Sequence, residues 1–131
     1  MIVDLIFIIL SGGISGAVLE FTFRSIEHKK IIIPKIVNIQ MYIINVLFLY
    51  LLYIIQVRFL YLIISIAIFT TSIEFITGYV FLKYKRIRLW DYRYQKYNFM
   101  RLVCPLYSIL WIFLSLIYYF SILPLLLSIN K

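Results

Sequence analysis

Two carboxylates, Glu20 and Glu74, stand inside long apolar runs, and a third acid, Asp91, stands among seven bases in the stretch 83–101. A charged group at mid-bilayer costs about 2.5 to 3.5 kcal/mol on insertion scales, so an acid held there needs partners or a task. Glu74 shares a helical face with Ala67, Thr70, Thr71, Thr77 and Gly78, at the three- and four-residue spacings that align on a helix. Lipid cannot satisfy such a stripe, which must face protein or water. Two readings stay open for Glu74: a protonated or hydrogen-bonded packing residue, or a substrate, ion or proton site. Glu20 has Arg24 one turn on, which allows a snorkelling ion pair. Upstream, Ser11 with Ser15 and Gly12 with Gly16 make small-xxx-small pairs that admit a second helix closely. If the helix bearing Glu74 packs there, the two glutamates border a common cleft and share a proton.

The elements that position these residues follow from hydropathy. A hydrocarbon core of about 30 Å takes about 20 residues of helix, and four apolar runs reach that length: Ile2 to Phe23, Ile36 to Val57, Phe59 to Leu82 and Leu102 to Ile129. The expectation is an all-α polytopic membrane protein, a single domain over 1–131 whose four transmembrane helices form two hairpins. Each hairpin is a helix with one glutamate, a basic loop and a return helix, and a tight turn near Gln56 to Phe59 joins the second run to the third. The first run is too long, and its start too poor in bases, for a cleavable signal peptide. Pro124 removes a backbone hydrogen bond from the fourth run, so that helix is expected to kink or end nearby. Leu19-Glu20-Phe21 recurs as Ile73-Glu74-Phe75, the pattern that a parallel internal repeat would leave.

Composition agrees. Over 131 residues, 65% are hydrophobic and 14% charged, against about 45 to 50% and about 25% in a soluble domain, which excludes an ordinary globule and a disordered chain. One cysteine, Cys104, excludes an internal disulfide, and one histidine, His28, disfavours a protein-only zinc site. No metal or cofactor is expected. The net charge of +8 resides mostly in two connections: Arg24, Lys29, Lys30 and Lys35, then Lys83, Lys85, Arg86, Arg88, Arg93, Lys96 and Arg101. The other face has only Arg58 and Lys131. The positive-inside bias makes the loops 24–35 and 83–101 cytoplasmic and puts both termini outside.

The second run carries Asn38, Asn45 and Gln56 on nearly one face. The fourth carries Cys104, Ser108, Trp111, Ser115 and Tyr118 or Tyr119. Tyr42, Tyr61, Tyr84 and Tyr107 read as interfacial anchors. The stretch 83–101 interleaves cations with aromatics, a pattern that can bind single-stranded nucleic acid. Beside membrane helices it binds anionic lipid head groups more simply, with Lys83, Lys85, Arg86 and Arg88 as the contacts. Asp91 is expected to pair with one of the surrounding bases or to cap a turn.

Ser72-Ile73-Glu74-Phe75-Ile76-Thr77-Gly78, Leu89-Trp90-Asp91-Tyr92, Tyr97-Asn98-Phe99-Met100 and Cys104-Pro105-Leu106-Tyr107 with Trp111 carry a resemblance. Together they resemble the bacterial membrane family of type IV ABC-transporter permeases, often called CmpB-like. The Glu-Phe-x-Thr-Gly and Trp-Asp-Tyr elements also resemble a small group of animal four-helix membrane proteins. The first half agrees through Gly16, Glu20 and Pro34, and lacks the Gly- and Pro-rich stretch that longer bacterial members have. Where the family tends to have glycine, this chain has Arg101. The resemblance implies a transport component of the bacterial cytoplasmic membrane, with Glu74, Thr77, Gly78, Trp90, Asp91, Tyr92 and Asn98 as its functional residues and Glu20 as a further candidate. No glycine-rich phosphate loop with lysine is present, so any ATPase is a separate subunit.

The leading expectation is a small permease-like protein with a polar cleft around Glu20, Glu74, Thr77 and Gly78. Trp90, Asp91, Tyr92 and Asn98 fold back on helices three and four as an ordered lid. Four helices make a narrow pathway, so a homodimer or a partner subunit is implied. One alternative is a membrane enzyme acting on lipid, with Glu74 or Asp91 as general acid or base. Against it stands the lack of a recognisable nucleophile and base. The other is a non-catalytic regulator that docks a cytosolic partner.

Overall fold

A computed structural model describes residues 2–28 and 36–129, except for the side chains of residues 23, 24, 27 and 28. Lys29, Lys30, Pro34, Lys35 and Lys131, together with the Arg24 and His28 side chains, lie outside the described residues. The chain folds as α1 (Ile2–His28), α2 (Ile36–Ile55), α3 (Phe59–Tyr84), α4 (Pro105–Ile117), a π-helical turn (Tyr118–Ile122) and α5 (Leu123–Ile129). Four helical stretches are long and apolar enough to cross a membrane: Ile2–Thr22, Ile36–Ile55, Phe59–Tyr84 and Pro105–Ile129. The only sheet-like pairing among the described residues is an isolated bridge between Phe99 and Val103.

Some helix ends differ from the apolar runs, for local reasons. α2 stops at Ile55 because Gln56 takes a left-handed φ of 60° while its N–H turns back to the Tyr53 carbonyl at 3.2 Å. α3 runs on through Lys83, a cation in its last turn that complements the negative end of the helix dipole. α4 starts at Pro105, whose missing N–H costs nothing in a first helical turn. Leu102 and Val103, apolar enough to read as helix, belong instead to the preceding loop.

The chain forms two compact units, Met1–Gln56 with Ile117–Lys131, and Val57–Leu116. In the first, the small-residue stripe of α1 faces α2. A Cβ on Gly12 would collide with Val46, and one on Gly16 would lie 2.6 Å from the Tyr42 Cβ. Lipid tails supply no hydrophobic drive between helices, so such close approach is what holds them. The stripe expected to receive the helix bearing Glu74 is thus occupied by α2. Ile8, Val46, Leu49, Leu52, Tyr118, Tyr119 and Leu123 fill this unit's core. The Tyr118 hydroxyl bonds the Ser11 hydroxyl at 2.6 Å.

Pro124 does not end the fourth helix. Its ring would clash with the carbonyl four residues back, and it has no N–H to give. The π turn relieves this, because the Leu123 N–H reaches past the usual acceptor to the Tyr118 carbonyl, widening the coil just ahead of the proline. The Ser121 hydroxyl covers the Ile117 carbonyl, and the helix continues to Ile129.

In the second unit, α3 buries Leu62, Ile66, Thr70, Glu74 and Gly78, a strict four-residue repeat. Leu60, Ile64, Ile68, Ile76 and Val80 are exposed and suit contact with lipid. Thr71 on α3 meets Ser108 on α4, hydroxyl to hydroxyl, at 3.0 Å.

The packing of α1 on α2 predicts a contrast between neighbouring glycines. Gly16→Leu should lower stability by about 1 to 3 kcal/mol through overpacking, read as a lower thermal midpoint in detergent. Gly13→Ala should be nearly silent, because a Cβ there lies 3.6 Å from its nearest neighbour, an ordinary contact.

Candidate functional site

The four-residue repeat of α3 puts Glu74 and Gly78 on its buried face. Glu74 is 3% exposed, and its Oε2 accepts two hydrogen bonds, from the Tyr92 hydroxyl at 3.0 Å and from the Trp111 indole N–H at 2.9 Å. Tyr92 comes from the loop after α3, and Trp111 from the second turn of α4. One turn before Glu74, Thr70 turns its hydroxyl to the Ile66 carbonyl at 2.7 Å. One turn after it, Gly78 leaves the space that Trp90 and Leu102 enter. A Cβ at Gly78 would lie 2.9 Å from Leu102 Cδ2 and 3.2 Å from Trp90 Cζ2. The Trp90 indole then donates to the Leu102 carbonyl at 2.7 Å. Thr77 is half-buried just before Gly78.

Trp90 and Tyr92 both reach α3, while Asp91 between them is exposed. Asp91 closes the loop on itself. Arg101 grips it with two nitrogens, Nε to Oδ1 at 2.8 Å and Nη2 to Oδ2. The Arg93 N–H caps Oδ1 at 3.0 Å, and the Arg93 guanidinium stands 3.1 Å from Oδ2. The hydrogen bond from Arg101 holds the Asp91 carboxyl well below the usual carboxylate range. Asn98 organises the other strand of the loop, accepting the Arg101 N–H at 3.1 Å and donating to the Gln95 carbonyl at 2.9 Å. The backbone closes the two sides, Tyr92 N–H to Arg101 carbonyl at 3.0 Å and Phe99 N–H to Val103 carbonyl at 2.8 Å.

Arg101 occupies the position where glycine was expected from the resemblance, and its φ is 61°, a left-handed conformation that glycine adopts freely. A side chain there costs about 1 to 2 kcal/mol, and its guanidinium is the group that Asp91 holds. Tyr92 stacks on Tyr107 with ring centroids 4.6 Å apart. Burial, and then the negative charge of Glu74, push the Tyr92 phenol well above its ordinary range, so it remains a donor.

The bases expected at the membrane surface behave less uniformly. Lys83, Lys85 and Arg86 are exposed. Lys83 lies over the Tyr79 and Tyr84 rings and Lys85 over Phe81, whereas half-buried Arg88 reaches the Met100 carbonyl at 3.4 Å.

Glu20 belongs to the other unit, where the Asn38 amide of α2 donates to its Oε1 at 2.6 Å. The expected partner, Arg24, lies outside the described side chains. Spacing within one helix could not reveal either cross-helix arrangement, though Asn38, Tyr92 and Trp111 all carry donors suited to a carboxylate. No group of three His, Cys, Asp or Glu that could hold a metal is present among the described residues.

Four apolar spans with polar side chains turned to one another define a polytopic integral membrane protein. The chain belongs to the family Putative ABC-transporter type IV, whose model matches residues 5–131. No curated protein and no solved structure gives a significant match.

Arg101 supplies a prediction separating backbone strain from ion pairing. Arg101→Ala keeps the strained φ and loses the guanidinium, whereas Arg101→Gly loses the guanidinium and relaxes the backbone. Hydrogen exchange at the Tyr92 amide, which donates to residue 101, should therefore accelerate more in the alanine variant than in the glycine variant.

Proposed function

We propose that the protein is the membrane component of a transporter in which Glu74 is the exchangeable site and the Trp90–Tyr92 segment closes its cytoplasmic mouth. The observation that carries this reading is that a single oxygen of a carboxylate 3% exposed takes one donor from the loop and one from α4. A carboxylate is a costly way to fill space inside a membrane. What it offers over glutamine or leucine is a change of charge. Charge-assisted hydrogen bonds are about twice as strong as neutral ones, so a proton or a cation arriving at Glu74 competes with Tyr92 and Trp111 and loosens the loop. Gly78 seats Trp90, Thr77 borders the same turn, and Asp91 and Asn98 keep the loop in one shape. Glu20 is assigned a separate part, holding α1 to α2 through Asn38.

In this reading the basic loop faces the cytoplasm, and Lys83, Lys85, Arg86 and Arg88 bind anionic head groups at about 1 kcal/mol each. Energy comes from a separate ATPase subunit, and a second copy of the chain widens the pathway.

In cells lacking the native protein, a Glu74→Gln protein should insert and accumulate normally yet fail to restore function. Full restoration by Glu74→Gln would reduce Glu74 to packing. Topology is checked with single cysteines in a Cys104→Ser background. Gln56→Cys should react with an impermeant thiol reagent in intact cells, and Arg86→Cys should be protected until the membrane is opened. The opposite pattern would invert the orientation.

A further inference from the structure

α4 begins well short of the level at which α3 ends. Thr71 pairs with Ser108, so Pro105, three residues before Ser108, lies near the level of Glu74. α3 continues ten residues beyond Glu74 to Tyr84, about 15 Å at 1.5 Å per residue. The chain between the two helices does not stay above that end. Trp90 packs at Gly78, the Tyr92 hydroxyl reaches Glu74, and the Phe99 ring centroid lies 5.5 Å from that of Phe75. Phe75 is nine residues, about 14 Å, before the helix end.

We propose that residues 89–104 are a re-entrant segment, entering the bilayer beside the last three turns of α3, and that the groove between them takes an acyl chain of a bilayer phospholipid. Non-helical backbone is tolerated at membrane depth only where protein or a water-filled cavity surrounds it. The part of the segment against α3 meets that condition, with Leu89, Leu102, Val103 and Cys104 buried and bonds from Tyr92 to Arg101 and Phe99 to Val103 through the backbone and from Trp90 to Leu102, while exposed Arg93 and Lys96 have stems long enough to carry their charges toward the head groups. The groove holds about 410 Å³ and is lined by Thr71, Ser72, Phe75, Ile76, Phe99 and Val103. Ser72 and Ile76 lie at four-residue steps from exposed Ile68 and Val80, so the groove opens on the exposed face of α3. Lys83 and Lys85 at the end of α3 mark the head-group level. Some 10 Å or more below them, the bilayer has only acyl chains to offer.

The inference deepens the lid reading by placing the lid within the membrane, and it stands independently of any activity of Glu74. Its test uses nitroxide labels on Phe99→Cys and Tyr84→Cys, in a Cys104→Ser background, in vesicles of phosphatidylcholine and phosphatidylglycerol. The ratio of collisions with oxygen to collisions with a water-soluble nickel complex should be several-fold higher at position 99 than at position 84. An equal or lower ratio at 99 would overturn re-entrance. Ser72→Trp fills the groove from its lipid-facing side, where a large side chain is tolerated. Native mass spectrometry should find phospholipid retained by the unsubstituted protein and lost from this variant. Equal retention, or none on the unsubstituted protein, would overturn the acyl-chain assignment. Both readings are taken without a transport assay, so they can fail while the Glu74 reading stands, and the reverse.

Discussion

One carboxylate oxygen, Oε2 of Glu74, joins α3 to parts of the chain 18 and 37 residues further on, through Tyr92 and Trp111. Magnitudes indicate why the unit's arrangement depends on it. Interhelical hydrogen bonds between neutral groups, such as Thr71 to Ser108, average about 0.6 kcal/mol in membranes, whereas hydrogen bonds to a charged group contribute about 1.5 to 3 kcal/mol. The Asp91 and Arg101 pair and Asn98 tie the loop to itself. Glu74 holds that loop by hydrogen bonds, and Gly78 gives it room.

The two units use the same means with different partners. Both bring backbones together at glycine, Gly12 and Gly16 against α2 and Gly78 against Trp90. Both satisfy a glutamate with side-chain donors, an amide in one case and a phenol with an indole in the other. The echo between Leu19-Glu20-Phe21 and Ile73-Glu74-Phe75 thus coincides with equivalent polar positions whose surroundings differ. A loop rich in aromatics follows only the second.

What was legible in the sequence was whatever has a period or a cost. Four apolar runs showed the spans, and the energetic cost of placing acids in them singled out Glu74. Partners were not legible, because contacts such as Asn38 to Glu20 and Trp111 to Glu74 depend on which helix lies beside which. The small-residue stripe of α1 was visible, whereas its occupant, α2, was not. Leu102 and Val103 misled for a specific reason: apolar residues packed in a loop against α3 look the same in sequence as the start of a buried helix. Pro124 marks a kink or an end in the sequence, but the π turn that accommodates it has no marker in residue type. Arg101, noted only as a departure from glycine, proved to keep a conformation suited to glycine while adding a cation that Asp91 holds.

Tyr92 and Trp111 share Glu74, and the indole N–H signals of the nitrogen-15-labelled protein report on that directly. Removing the Tyr92 hydroxyl leaves the carboxylate with one donor fewer and strengthens the bond from Trp111. In Tyr92→Phe the Trp111 indole proton should therefore move downfield, while that of Trp90, bonded to the Leu102 carbonyl, should move far less. An unmoved Trp111 signal would contradict the shared carboxylate and with it the coupling of loop to helix.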